Sequence, residues 1–107
     1  MAAALVCGAD AAFAASKGET LVKGLLAEHE YNQPRRIGVI AGARHYCGLE
    51  INQFLDRYWT QLDFTMQQPR RVWDRMIDQG DKTENALRQK SVPCDEAFKG
   101  YVGRLGY

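Results

Sequence analysis

His45 and Cys47 are the closest pair of good metal ligands in the chain, and His29 and Cys94 are the only obvious recruits for a fuller set. On a helix, two positions apart means roughly 200° around the axis, so the two side chains point to different sides. Zinc needs three or four ligands converging on one point. The same divergence spoils a thiol nucleophile activated by histidine, because base and sulfur must lie within hydrogen-bond reach. Glu28 and Glu30 would be a carboxylate pair, yet they too leave a helix on different faces. Gly38 and Gly42 lack the lysine or third glycine that marks a phosphate-cradling loop. The residues predict a protein that is not an enzyme and holds no metal or cofactor.

Two other features carry physical content. Arg35-Arg36 and Arg70-Arg71 each follow a proline at what reads as a helix start, where positive charge opposes the helix dipole. They are either solvated or paired with Glu28, Glu30 or Asp74, or they face an anionic surface, Arg35 and Arg36 being the better candidates. Gly38-Val39-Ile40-Ala41-Gly42-Ala43 places small residues four apart, which lets two helix backbones approach closely. Gly38, Gly42 and Ala43 are the candidate helix-contact residues. The uncharged run Ile37 to Ala43 is far shorter than the ~20 residues that span a bilayer.

The elements that must position these residues all read as helices. Ala2 to Ala15 has high helix propensity, and although Ala12-Phe13-Ala14 resembles a small-residue cleavage site, no basic residue precedes it. Ser16 and Glu19 have capping-box spacing for a second helix, whose Leu21, Val22, Leu25 and Leu26 share a face. Tyr31-Asn32-Gln33-Pro34 ends it. Ile40, Ala43, Cys47, Ile51, Leu55, Tyr58 and Leu62 then step by three or four, which predicts one long helix from about Arg35 to about Gln67. Pro69 opens another helix, with Val72, Trp73, Met76 and Ile77 on its apolar face, closed at Asp78-Gln79-Gly80 and followed by a polar helix to Gln89. Asp95 caps a last turn carrying Ala97, Phe98, Tyr101 and Val102, and the glycine-rich stretch from Gly100 to Tyr107 reads as a tail. Gln33-Pro34-Arg35-Arg36-Ile37 recurs as Gln68-Pro69-Arg70-Arg71-Val72, which reads as similar helix-start punctuation rather than a repeat.

Composition narrows the class further. With 107 residues there is room for one small helical domain or an extended helical subunit. The net charge of +1, from 14 basic and 13 acidic residues interspersed along the chain, lacks the basic excess of a phosphate-neutralising nucleic-acid binder. Cys7, Cys47 and Cys94 are odd in number and widely spaced, which reads as reduced thiols, mostly buried, and a reducing compartment.

Gly38-Val39-Ile40-Ala41-Gly42-Ala43-Arg44-His45-Tyr46, about a tenth of the chain, resembles the G-x-x-x-G segment of subunit e of mitochondrial ATP synthase. In that family a glycine-spaced inner-membrane helix passes into a basic and aromatic stretch and then a long charged helix. The resemblance implies an accessory, structural subunit of a respiratory assembly in the mitochondrial inner membrane, with Gly38 and Gly42 contacting a neighbouring subunit. Accessory subunits of respiratory complex I combine similar elements. The expectation is therefore an all-α fold with one long central helix (about 35–67), flanked by shorter helices and a loop-rich C-terminal tail. Its partners would be protein subunits of a larger complex or anionic lipid headgroups, not nucleic acid. The alternative is a small soluble helical interaction protein, a dimer or a partner-docking module.

Overall fold

The structure, a computed structural model, describes residues 17–59 and 69–105. The expected helix Ala2–Ala15, the thiol of Cys7, Leu62 and the last two tail residues lie outside them. Among the described residues there are five helices and no strand, so the fold is all-α: α1 (Lys17–Glu28), α2 (Gln33–Tyr46), α3 (Asn52–Trp59), α4 (Pro69–Gln89) and α5 (Glu96–Arg104).

Local chemistry sets most of these boundaries. Asn32 caps α2 by accepting a hydrogen bond from the Arg35 backbone N–H at 3.2 Å, and Pro34 sits in the first turn, where a missing N–H costs nothing. Asp95 caps α5 in the same way, accepting from the Phe98 N–H at 2.9 Å. The recurring Gln-Pro-Arg-Arg motif does mark helix starts: Ile37 and Val72 occupy equivalent first-turn positions of α2 and α4, and both are buried.

The expected single helix over 35–67 is two helices with a sharp turn between them. At the end of α2, Gly48 adopts φ +70°, a left-handed conformation that side chains resist. The Leu49 N–H then reaches back to the Arg44 carbonyl at 2.8 Å and the Gly48 N–H to that of His45 at 3.1 Å, which closes the helix. The three-and-four spacing survives because the turn keeps both helices facing the same core. The longest helix is α4, 21 residues through Gly80 without a break, where two shorter helices were expected. At the C-terminus, α5 extends to Arg104 through Gly100 and Gly103 instead of dissolving into a tail, anchored by fully buried Phe98 and Val102.

α2 is the hub, packing against all four other helices. Its pairing with α4 is parallel: contacts step upward together from Arg35 and Asp78, through Gly42 and Gly80, to His45 and Glu84. The core of this arrangement takes Val22 and Leu26 from α1, Ile37, Val39, Ile40 and Ala43 from α2, and Phe54 from α3. Val72, Met76 and Leu87 come from α4, Val92 from the loop after it, and Phe98 and Val102 from α5.

Parallel packing brings the C-terminal ends of α2 and α4 together, and a disulfide between Cys47 and Cys94 joins them there. This corrects the expectation of reduced thiols. The spacing of 47 residues hid the pairing, because nothing in the sequence announces that two helix ends 40-odd residues apart will meet. In the chain-entropy account a loop of that length constrains the unfolded state by about 4 kcal/mol. Tyr46 reinforces the junction, its hydroxyl donating to the Val92 carbonyl at 2.7 Å.

Helix C-termini converging on one place concentrate negative dipole ends, which a cation can offset. Arg44 is that cation. It is 5% exposed, donates to the Glu50 and Gly103 carbonyls at 3.2 Å each, and lies 4.8 Å from the centroid of the Phe54 ring.

Candidate binding groove beside the glycine seam

The glycine motif is buried in the interface between α2 and α4. A Cβ on Gly38 would lie 2.6 Å from the Met76 carbonyl oxygen, and one on Gly42 would lie 2.9 Å from the Gly80 Cα. The nearest atoms met are α4 backbone, so α2 has no room for a side chain at either glycine, whereas a Cβ on Gly80 would make ordinary contacts, the nearest at 3.4 Å from the Gly38 carbonyl oxygen. Ala43, with no exposed surface, completes the small-residue stripe. Gly38 and Gly42 thus make a close helix contact, and the helix they contact belongs to the same chain. Gly80, read from the sequence as a helix end, is the third glycine of the seam. The available signal was its setting, since Gly80 is flanked by helix-compatible residues and no proline follows it.

The arginine doublet at the start of α2 is also turned inward. Arg35 donates to Asp78 at 2.8 Å and to the Gln79 side-chain oxygen at 3.2 Å, tying α2 to α4. Asp78 also pairs with Lys82 at 3.0 Å. Hydrogen bonding from Arg35, and then from Lys82, holds the Asp78 carboxyl below the ordinary carboxylate range. Arg36 donates to the Leu26 carbonyl at 2.8 Å and so caps the end of α1. Arg70 and Arg71 lie exposed in the first turn of α4.

Beside the glycine seam, where no side chains fill the angle between α2 and α4, a groove of about 200 Å³ opens. Ala41, Gly42 and Gly80 form its floor, and Ile51, Leu55, Met76 and Ile77 its apolar walls. His45, Asp81 and Glu84 stand at one end, with His45 Nδ1 2.8 Å from a Glu84 oxygen and Glu84 also bridged to Arg88 at 3.0 Å. Among the described residues lining the groove there is no serine, threonine, cysteine or lysine, so the His45–Glu84 pair has no nucleophile beside it. Nor do three His, Cys, Asp or Glu side chains gather anywhere among the described residues as a metal site would require.

On the other side of Leu55 lies a second cavity, lined by Trp59 on α3 and Trp73 on α4. Their rings meet edge to face, centroids 5.3 Å apart and planes at 86°. Trp73 and Ile77, one turn apart on α4, are 40% and 45% exposed, which is unusual for such large apolar side chains. The sequence pattern placed Trp73 and Ile77 on an apolar helix face; it did not show that this face would meet Trp59 at an open edge.

Fold and groove together define a disulfide-braced, all-α helical protein with an open apolar edge. No family model, curated protein or solved structure matches the chain. No helix among the described residues is long and apolar enough to cross a membrane.

Proposed function

We propose that this chain is a non-catalytic binding module that works in an oxidising compartment and docks an amphipathic helix of a protein partner in the groove between α2, α3 and α4. The observation that carries the reading is half-exposed Ile77 on the groove wall, with half-exposed Trp73 one turn before it on the same helix. Exposed apolar surface bordered by charge is what a helix-in-groove partner recognises. Among the described residues lining it, Asp81 and Glu84 are acidic and His45 is the only basic side chain. The partner helix therefore carries apolar residues on one face and lysine or arginine beside them. The Cys47–Cys94 disulfide supports the choice of compartment, because cytosolic reductants keep such bonds open.

Subunit e of ATP synthase uses its glycine motif toward a neighbouring subunit. Gly38 and Gly42 are filled by α4 of the same chain, so we retain the interaction role and not the membrane contact.

The test is fluorescence anisotropy of a labelled helical peptide with a leucine face and flanking lysines. The peptide should bind wild type, lose binding to Ile77→Lys, and bind Asp81→Lys more weakly. The same peptide with glutamates in place of the lysines should bind poorly. Equal binding of both peptides, or no effect of Ile77→Lys, would refute the docking role.

A further inference from the structure

On α3, Asn52, Asp56 and Trp59 follow one another at spacings of four and three residues, so they share a stripe along the helix. That stripe faces Trp73 of α4, and with Leu55 the five residues line a single cavity of about 480 Å³. Two indole rings at 86° with centroids 5.3 Å apart form a right-angled corner. A ligand in such a corner touches two π faces at once. The negative face of an indole attracts cations, and a diffuse organic cation also buries apolar surface against it. A carboxylate on the same cavity wall adds a third favourable contact for positive charge and repels an anionic group.

We infer that Trp59, Trp73 and Asp56 form an aromatic corner that binds a quaternary ammonium group. A primary ammonium ion fits less well, because its tighter hydration shell must be stripped to enter. A trimethylammonium group spreads its charge over methyl surface and loses little on leaving water. Asn52 at the cavity edge offers an amide to a hydroxyl or ester oxygen next to the ammonium, as in choline and its esters. The corner binds its ligand independently of the peptide groove, with which it shares only Leu55.

The chain's only two tryptophans are the two rings of the corner, so intrinsic fluorescence reads the site directly. Titration with tetramethylammonium and with choline should give a saturable change at millimolar concentration. The neutral isostere 3,3-dimethylbutanol should give a much smaller one. Trp73→Leu should weaken binding roughly tenfold, as expected for loss of one cation–π face, with Trp59 still reporting. Asp56→Asn, an exposed and conservative change, should weaken it roughly threefold, the scale of one solvent-exposed charge contact. Both variants should keep wild-type helicity and a cooperative melt. Phosphatidylcholine vesicles, against phosphatidylglycerol vesicles, separate a lipid headgroup from a free solute as the source. A fluorescence shift with phosphatidylcholine vesicles assigns the headgroup, whereas a response to choline alone assigns the solute. Linear, unsaturable quenching, or equal binding of the neutral isostere, would overturn the assignment. Loss of the peptide site in Ile77→Lys with choline binding intact would separate the two sites.

Discussion

Gly80 and Trp73 lie on the same helix, and the ways they meet their neighbours could hardly differ more. Gly80 presents bare backbone to Gly38 and Gly42 of α2, while Trp73, about two turns earlier, meets Trp59 of α3 with a large ring that is 40% exposed. At the first contact no side-chain atom can be added to Gly38 or Gly42 without moving a helix. At the second, the side chains are broad and partly solvated, and a cavity lies against them. One helix thus carries a seam that fixes architecture and an edge that can accept ligands, and binding belongs where the packing was left incomplete.

The sharpest way to break the seam is Gly42→Leu. Overpacking ordinarily costs about 1–3 kcal/mol, and the obstruction here is backbone rather than a side chain that can rotate, so the variant should lose its cooperative thermal transition. Gly24, with open space around its Cα on the exposed face of α1, supplies the contrast: Gly24→Ala should stabilise by up to about 1 kcal/mol. If both glycine variants melt alike, the seam does not set the fold.

Removing the disulfide with Cys47→Ser/Cys94→Ser should lower stability by about 4 kcal/mol in chemical denaturation if the loop-entropy account holds. Reduction of wild type should reproduce most of that loss. An unchanged denaturation midpoint under reducing conditions would mean that the parallel helix ends hold together without their covalent link.

Phe54 and Leu55 are neighbours on α3 that sample core and edge. Phe54 is 1% exposed and stacks under Arg44, so Phe54→Ala should cost about 3–5 kcal/mol. Leu55 lies half-buried on the groove wall, and Leu55→Ala should cost nearer ~1 kcal/mol, below the range of a fully enclosed leucine. Equal losses, read from urea titrations, would place Leu55 in the core and remove the edge.

The smallest effect is electrostatic. The carboxyl of Asp78 titrates lower in the folded chain than in the unfolded one, so its contribution is present above the ordinary carboxylate range and fades as pH falls through the folded value. Between neutral pH and about pH 3, wild type should lose slightly more stability than Asp78→Asn. Because Asp78 is solvent-exposed, added salt should shrink the difference.

The helices were legible wherever a local rule decides them. Pro34, Pro69 and Asp95 mark starts by chemistry confined to one turn, and the stripe of α1 appears directly in Leu21, Val22, Leu25 and Leu26. Gly48 and Gly80 show where such rules end. The spacing reads Gly48 as inside a helix and Gly80 as the end of one, yet Gly48 stops a helix with a left-handed turn and Gly80 lets another helix approach. Only the partner's position distinguishes the two uses. The same holds for Arg44, which resembled part of a basic stretch and proves to be a buried cation at converging helix ends. The groove and the tryptophan corner are formed by residues far apart in sequence, and neither could be seen before α3 and α4 were brought together.

The bond between Cys47 and Cys94 turns the intervening chain into a closed ring, and that ring contains α3, α4 and both tryptophans. A single peptide cut inside it makes a break without releasing a fragment. The nicked chain keeps its mass on a non-reducing gel and falls into two pieces only when a thiol is added. A protease met in the surroundings would thus leave the two walls of the aromatic corner tethered to one another, within reach of re-forming it.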